Sequence, residues 1–288
     1  MKLLITGAKG QLGTELVRLG STHELLAVDR DELDITDYYA VMNCINDFQP
    51  DAVINAAAYT AVDRAESEVE AAFAVNRDGP ANLARACERA GISLIHISTD
   101  YVFDGSKQGA YVEGDPVSPL GVYGESKLAG EEAVRTLCPK HLILRTSWVF
   151  SAHGNNFVKT MLRLGAEREE LGVVADQFGK PTSAAEIARL ILDTLPDTEG
   201  KWGTYHLAQP DAVSWHGFAE AIFDAAKRQG IVMKVEQVQP ISTADYPTPA
   251  RRPANSELDC RLLKSVFGVT IRGWRESLAE VIGELNDV

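Results

Sequence analysis

A tyrosine and a lysine four residues apart, Tyr123 and Lys127, have the types and spacing that could transfer a proton. They lie in the stretch GVYGESKLAGEEA, whose apolar spacing and early glutamates predict a helix. Residues four apart lie on the same helical face, so both side chains can reach one space. A free phenol has a pKa of about 10, and a nearby ammonium lowers it because it stabilises the phenolate. The pair is therefore either a tuned proton donor or a half-buried tyrosine beside a solvated lysine.

Three glycines follow the first predicted strand at a spacing that suits a dinucleotide. The stretch ITGAKGQLG places Gly7, Gly10 and Gly13 between an apolar run and a helical pattern. The first glycine permits a tight turn, the second lets the backbone approach a pyrophosphate, and the third lets the helix pack on the sheet. Free N–H groups at the helix N-terminus favour phosphates. Asp29 ends the second predicted strand, where a carboxylate can accept hydrogen bonds from an adenosine ribose. These residues predict a dinucleotide site.

The elements around these residues alternate between strand and helix patterns. Short apolar strands are predicted at KLLIT, ELLAV, DAVINAAA, ISLIHIST and HLILRTSWV. Helical patterns separate them, including the long stretch EAAFAVNRDGPANLARACERAG. Near-continuous apolar strands alternating with helices indicate a parallel sheet covered on both faces. The predicted fold class is α/β, a doubly wound parallel sheet (Rossmann) with a smaller C-terminal substrate lobe.

The second half of the chain changes rhythm and predicts two domains that the chain visits more than once. We expect residues 1–150 plus about 181–230 to form the dinucleotide-binding domain, because TSAAEIARLILDTL and GTYHLA continue the helix and strand pattern. We expect about 151–180 plus 231–288 to form the substrate-binding lobe. The proline- and arginine-rich stretch YPTPARRPANS is predicted to be a loop of that lobe.

Composition excludes several classes of protein. The 288 residues carry a formal net charge of −13, which argues against broad nucleic-acid binding. The longest apolar runs fall short of the roughly 20 residues that span a bilayer, so we expect no membrane association. The N-terminus is interpreted as a strand and not as a signal peptide. The four cysteines and six histidines lack the spacing of a zinc site or a disulfide framework, so neither is indicated among these residues, and we expect a reducing cytoplasm.

Several short motifs recur together in one group of enzymes. The first glycine turn, NAAA after the third strand, VN in a helix, STD at a strand end and Tyr-x-x-x-Lys downstream resemble the extended short-chain dehydrogenase/reductases that act on nucleotide sugars. Six longer stretches are similar to the family of dTDP-4-dehydrorhamnose reductases: INAAAYTAVDRAE, STDYVFDG, SPLGVYGESKLAGE, RTSWVF, GNNFVKTMLRL and YPTPARRPANS. The resemblance covers essentially the whole chain. It implies reduction of the 4-keto group of dTDP-4-dehydro-L-rhamnose with NADPH or NADH, a step toward bacterial cell-surface polysaccharides.

The resemblance also implies roles for individual residues. Tyr123 is the expected proton donor, and Lys127 is expected to lower its pKa and to bind the nicotinamide ribose. Thr99, where the family more often has serine, matches the hydroxyl that hydrogen-bonds the reacting oxygen. The expected cofactor-binding residues are Gly7, Gly10, Gln11, Leu12, Gly13, Asp29, Arg30, Asp34, Ile35, Ala58, Tyr59, Thr60, Tyr123 and Lys127. The expected substrate-binding residues are Thr99, Asp100, Trp148, Asn156 and Arg252.

Two residues at the end of the second strand frame the cofactor choice. Asp29 can accept from the ribose hydroxyls of NADH and would repel the 2′-phosphate of NADPH. Arg30 can grip that phosphate. We therefore expect both cofactors to be used.

A diphosphate substrate requires cationic side chains in its binding site. Four cations lie in the stretches that resemble the substrate lobe: Lys159, Arg163, Arg251 and Arg252. Each is as compatible with a solvated surface position as with a substrate contact.

Some relatives hold Mg²⁺ between subunits through glutamates, and Glu15 lies in a matching region. A first-turn glutamate also suits the helix dipole, and we favour that simpler role. A homodimer is expected by resemblance.

Two other functions compete with the reductase. Nucleotide-sugar dehydratases carry Asp-Glu after the strand-end threonine, whereas here Asp100 is followed by Tyr101. Epimerases of the same superfamily keep their dinucleotide bound through the cycle. The regulatory β subunit of methionine adenosyltransferase, which is not catalytic, also resembles this family. The combination of Thr99, Tyr123 and Lys127 favours an active reductase.

Overall fold

The chain alternates long strands with helices in its first half and adds short paired strands in its second. The structure is a computed structural model and describes residues 1–286. The strands are β1 Lys2–Thr6, β2 Glu24–Val28, β3 Ala52–Asn55, β4 Ser93–Thr99, β5 His141–Thr146, β6 Val149–Phe150, β7 Glu170–Val174, β8 Phe178–Gly179, β9 Thr182–Ser183, β10 Gly203–His206, β11 Val213–Ser214 and β12 Gln237–Ile241. The α-helices are α1 Gln11–Leu19, α2 Tyr38–Phe48, α3 Val62–Ala65, α4 Val69–Phe73, α5 Gly79–Ala90, α6 Val122–Leu137, α7 Phe157–Glu167, α8 Ala184–Thr194, α9 Trp215–Arg228, α10 Arg261–Phe267 and α11 Trp274–Asn286. A π-helical turn spans Ala74–Asp78, and 3₁₀ turns span Asp100–Val102, Leu195–Asp197 and Thr243–Asp245. Among these helices, none combines the length and the apolar character that a membrane crossing requires.

Six strands form one parallel sheet in the order β2–β1–β3–β4–β5–β10. The register places Thr6 at the end of β1 between Val28 of β2 and Asn55 of β3. The chain leaves β1 toward β2 on one side and returns to β3 on the other. Ligands of open parallel sheets bind at the carboxyl ends of the strands beside such a switch point. The doubly wound sheet predicted from the sequence is confirmed.

Helices cover both faces of this sheet. On one face, α1 and α8 contribute Leu16 and Ile191 to an apolar cluster with the sheet. On the other face, α2, α5 and α6 contribute Val41, Leu83 and Val134. The side chains of the inner strands β3 and β5 are buried throughout, and those of β1 nearly so, which explains the continuous apolar runs of the sequence.

A second apolar core lies in the C-terminal half of the chain. It joins α7, β7, α9 and α11 around the buried side chains of Phe218, Phe223 and Trp274. The strand β12 pairs with β7 beside it. We assigned residues up to about 230 to the dinucleotide-binding domain, but α9 packs in this second core. Conversely, Leu263 of α10 packs in the core of the large sheet. The two-domain division itself stays a prediction.

Two predicted elements are interrupted in the structure. The long helix predicted from EAAFAVNRDGPANLARACERAG is divided into α4, the π-helical turn at Ala74–Asp78, and α5. The strand predicted from HLILRTSWV is broken between β5 and β6, where Trp148 adopts a φ of +47°. Both interruptions lie beside the cavity described below. π-Turns and strained residues often mark functional sites.

The glycine turn after β1 has room for backbone only. Gly7 has a φ of +74°, and a Cβ there would lie 2.6 Å from the amide nitrogen of Ala57. A Cβ on Gly13 would lie 2.1 Å from the carbonyl oxygen of Gly7. The start of α1 therefore rests directly on the turn, as the glycine spacing predicts.

Gly13→Ala should destabilise the protein even without cofactor, because the new methyl group meets rigid backbone. Overpacking of this kind costs about 1–3 kcal/mol of unfolding free energy. Urea unfolding of the variant and the wild type measures the difference. Gly114→Ala is the matched control, because a Cβ on Gly114 meets no atom within 4 Å. Equal unfolding midpoints for the two variants would contradict the close approach.

Candidate functional site

A cavity of about 1030 Å³ lies at the carboxyl ends of β1, β3 and β4. It runs from the glycine turn to the N-terminus of α6 and to the start of β6. The predicted site residues that line it are Gly7, Gly10, Gln11, Leu12, Asp29, Arg30, Asp34, Ile35, Ala58, Tyr59, Thr60, Thr99, Asp100, Tyr123, Lys127 and Trp148. Residues from separate parts of the sequence thus share one continuous space.

Three predicted site residues lie behind the cavity wall. Gly13 is buried under the glycine turn, as described above. Asn156 caps α7, and its amide donates to Gln11 Oε1 at 3.0 Å. Arg252 forms a forked pair with Asp63, with N–O distances of 3.0 and 2.9 Å. Each of these residues therefore contacts a residue or turn at the cavity wall and does not line the cavity itself.

Tyr123, Lys127 and Thr99 converge where β4 ends and α6 begins. Tyr123 and Lys127 lie one turn apart in α6, and Thr99 is the last residue of β4. The buried Lys127 ammonium donates to the Ile97 carbonyl oxygen at 2.6 Å. The Thr99 hydroxyl lies close enough to the Tyr123 phenol to lower its pKa. The N-terminus of α6 is fixed by Glu66, whose Oε1 accepts from the Val122 amide at 2.9 Å.

Burial dominates the acid–base properties of this group. It raises the pKa of Tyr123 to about 12, which outweighs the lowering by the Thr99 hydroxyl. Burial also lowers the pKa of Lys127 to about 8, while the nearby Glu131 carboxylate opposes that change. The four-residue spacing of the pair predicts that Lys127 lowers the pKa of Tyr123. The structure shows a rise, because the phenol loses more solvation than its neighbours return. Tyr123 is therefore fully protonated at neutral pH, as a proton donor must be.

Asp100 is a second buried acid beside the same threonine. Its Oδ1 accepts from the Thr99 hydroxyl at 2.9 Å, and its side chain is almost fully buried. Burial raises the pKa of Asp100 to about 6, although hydrogen bonds with Ser256 and Thr99 lower it. Thr99 also accepts from the Tyr101 amide at 3.2 Å. The threonine hydroxyl is thus held in a defined orientation, with its proton directed to Asp100.

The far end of the cavity carries the two residues that frame the cofactor choice. The Asp29 carboxylate accepts from the backbone amides of Lys9 at 2.8 Å and of Arg30 at 2.7 Å. Arg30 is exposed at the cavity edge. Asp34 accepts from both the amide and the hydroxyl of Thr36, which lowers the pKa of its carboxyl. The fixed Asp29 and the exposed Arg30 therefore offer a ligand opposite charges.

Asn76 was not predicted to be a site residue, yet it organises the cavity wall. Its amide accepts from the Tyr59 amide at 2.8 Å and donates to the Tyr59 carbonyl at 3.0 Å. It also donates to Ser126 of α6 at 3.0 Å. Gly130 permits the contact, since a Cβ there would lie 2.1 Å from the Asn76 carbonyl oxygen. The VN motif was the available signal in the sequence, but its bonding depends on the π-helical turn.

A buried charge network behind Lys127 was also missed. Glu131 is fully buried one turn after Lys127 and accepts from Ser98 Oγ at 2.5 Å. Arg145 of β5 grips the Glu131 carboxylate with N–O distances of 2.9 and 2.7 Å, and Arg135 also pairs with it. Burial alone would raise the pKa of Glu131, but the Arg145 hydrogen bonds and charge lower it. The network ties α6 to β4 and β5 directly beneath the site.

The cations expected near a diphosphate already have partners or lie on the surface. Lys159 donates to the Ala152 carbonyl, and Arg163 pairs with Glu167. Arg251 is exposed. These side chains do not line the cavity formed by the described residues.

Glu15 lies in a small group with His153 and Glu284, whose ligand atoms lie within 4.8 Å of one another. Glu15 is buried and already pairs with Arg18 at 2.6 Å. His153 Nε2 lies 3.6 Å from Glu15 Oε1. The Glu15 carboxylate is therefore neutralised within the chain.

Comparison with known proteins identifies the family to which this geometry belongs. A family model described as RmlD substrate binding domain matches residues 1–286. A dTDP-4-dehydrorhamnose reductase of Aggregatibacter actinomycetemcomitans is 49% identical, over 97% of this chain and 98% of that protein. The crystal structure of a dTDP-4-dehydrorhamnose reductase from Clostridium acetobutylicum is 42% identical with a TM-score of 0.94, over 99% of this chain and 100% of that chain. A reductase from Bacillus anthracis in complex with NADP is 39% identical with a TM-score of 0.92, over 98% and 99% of the two chains. The chain therefore belongs to the dTDP-4-dehydrorhamnose reductase family.

Proposed function

We propose that this protein reduces the 4-keto group of dTDP-4-dehydro-L-rhamnose to give dTDP-L-rhamnose, with NADPH or NADH as the reductant. One observation carries the proposal: Tyr123, Lys127 and Thr99 meet in a cavity that continues to the glycine turn. The cavity is large enough for a dinucleotide and part of a second ligand. The B. anthracis relative, whose fold this chain shares, is a complex with NADP.

A bound reduced nicotinamide supplies the hydride to the carbonyl carbon, and the protein manages the charge on the oxygen. Tyr123 donates its proton to the 4-keto oxygen as negative charge develops there. The Thr99 hydroxyl donates to Asp100 in the free protein, and its single proton turns to the same keto oxygen when the substrate binds. The Lys127 ammonium binds the nicotinamide ribose.

The remaining residues recognise the two ligands. Gly7, Gly10 and the start of α1 accommodate the pyrophosphate, and Asp29 with Arg30 receives the adenosine ribose. Trp148 packs on the apolar face of the sugar. Asn156 acts through Gln11, to which it donates. Arg252 acts through the loop that it fastens to Asp63.

A cofactor assay separates this function from its rivals. Purified protein is mixed with NADPH and dTDP-4-dehydro-L-rhamnose, and the ultraviolet absorbance of the reduced cofactor is followed. A reductase consumes one cofactor for each sugar, whereas an epimerase or dehydratase regenerates its cofactor and a regulatory subunit consumes none. No net oxidation of NADPH or NADH would contradict the proposal.

We also propose a cytoplasmic location and keep the homodimer as a prediction. All four cysteines are free thiols, which suits a reducing compartment.

The proposed function does not include a bound Mg²⁺. That ion prefers an octahedron of oxygens, and the Glu15 group offers the His153 imidazole, the exposed Glu284 carboxylate and a Glu15 carboxylate already paired with Arg18.

Tyr123→Phe should keep the fold and cofactor affinity and lose the proton donor. We expect kcat to fall by about 10² or more, the usual contribution of a general acid. Tyr39→Phe is the control, because Tyr39 is 77% exposed and does not line the cavity. Steady-state kinetics measure the change. A variant that retains more than half of the wild-type kcat would overturn the assignment.

The affinity for NADPH should fall as pH rises through about 8. Burial lowers the pKa of Lys127 to about 8, so its positive charge is present below that pH and lost above it. Losing a charged hydrogen bond costs about 1.4 kcal/mol, or about tenfold in Kd. Fluorescence titrations from pH 6 to pH 10 measure the affinity. Lys127→Ala should bind weakly at every pH, and the same slope in that variant would exclude Lys127 as its source.

Both cofactors should be used with less than about tenfold preference, because opposing contacts of about 1.4 kcal/mol nearly cancel. Arg30→Ala should raise KM for NADPH, and Asp29→Ala should raise KM for NADH. Exposed Arg228→Ala, on α9, is the charge-matched control for Arg30. Measurements of kcat/KM with each cofactor test the prediction. A wild-type preference beyond about a hundredfold, or equal losses for both cofactors in Arg30→Ala, would show that another feature sets the choice.

A further inference from the structure

Trp148 lines the cavity on a backbone conformation that bulky residues rarely adopt. Its φ is +47°, in the left-handed region, where the chain passes from β5 to β6. Such a conformation persists only where the surrounding structure holds it. The neighbours that hold the Trp148 ring therefore shape the cavity without lining it.

Trp215, the first residue of α9, is the main neighbour of that ring. The two indoles are parallel to within 6°, and their centroids are 3.4 Å apart. Trp215 lies outside the cavity lining, so its contact with the cavity runs through Trp148. It also packs on Phe157 of α7, with ring centroids 4.7 Å apart, at the edge of the second core. The Trp148 ring is thus connected to a rigid aromatic cluster.

Gly179 confines the same ring along its edge. A Cβ on Gly179 would lie 2.5 Å from Cε2 and 2.6 Å from Nε1 of Trp148, so only a glycine fits there. Gly179 belongs to β8, which pairs with β11. Because β11 directly precedes Trp215, the pairing of β8 with β11 positions both Gly179 and Trp215 against the Trp148 ring.

We propose that Trp215 is a positioning residue that holds the Trp148 ring flat against the sugar of the substrate. The inference rests on the proposed function, because it requires Trp148 to contact the sugar ring. A flat aromatic surface recognises the apolar face of a sugar only while its orientation is fixed. Trp215 fixes it by stacking, and the second core fixes Trp215. Recognition of the sugar is thereby coupled to the packing of α9.

Two substitutions of similar volume test the role of the flat ring. Trp215→Phe retains an aromatic face for Trp148, and Trp215→Leu fills space without one. We expect Trp215→Leu to raise KM for dTDP-4-dehydro-L-rhamnose about tenfold, as expected for the loss of an aromatic pair. Trp215→Phe should stay within about threefold of the wild type. The Kd for NADPH should be unchanged in both variants, and kcat should fall by less than about threefold, because neither residue touches the reacting atoms.

Trp148→Ala and the double variant Trp148→Ala/Trp215→Leu complete the cycle. Trp148→Ala should raise KM for the sugar nucleotide, and adding Trp215→Leu should raise it no further. Equal KM values for Trp215→Phe and Trp215→Leu, or additive effects in the double variant, would overturn the positioning role. If Trp148→Ala left KM unchanged while NADPH oxidation persisted, the sugar contact would be wrong and the reductase proposal would stand. Absence of NADPH oxidation by the wild type would instead overturn the proposed function.

Discussion

The burial of the Lys127 ammonium is the constraint on which the arrangement of the site depends. A buried charge is costly unless it is paired and hydrogen-bonded. Here the Ile97 carbonyl accepts from it, and the Glu131 carboxylate lies one helical turn away. Glu131 in turn requires Arg145 and Ser98, which belong to neighbouring strands. Meeting the needs of one ammonium therefore fixes α6 against β4 and β5, and with it the position of Tyr123.

The same constraint explains why the site is chemically ready at neutral pH. Burial raises the pKa of Tyr123 to about 12 and lowers the pKa of Lys127 to about 8, so at neutral pH the phenol holds its proton and the ammonium its charge. The Thr99 hydroxyl donates to the Asp100 carboxylate and accepts from the Tyr101 amide, so its position is fixed. A preorganised donor group of this kind needs little rearrangement as charge develops on a carbonyl oxygen. Burying these few polar groups lowers the stability of the fold, but their hydrogen bonds fix the geometry of the site.

The C-terminal half of the chain extends this rigidity to the other side of the cavity. The aromatic side chains of α7, α9 and α11 form their own core, and Trp148 stacks on its edge through Trp215. The forked pair between Arg252 and Asp63 fastens the proline- and arginine-rich loop to α3. Residues 189 positions apart are therefore joined at the cavity margin. The core of the large sheet and the second core thus lie on either side of the cavity that runs from the glycine turn to Trp148.

The features that depend on residues close together in the chain can be predicted from the sequence. The glycine spacing, the alternation of apolar strands with helices, and the Tyr123–Lys127 pair each depend on residues close in the chain, so they predicted the sheet, the turn and the group at the N-terminus of α6. The family motifs added the roles of these residues. Only the tertiary structure decided the packing of α9 in the second core, the π-helical turn that carries Asn76, the Asp63 partner of Arg252, and the raised pKa of Tyr123. Each of these depends on burial or on contacts between distant segments, which no local pattern encodes.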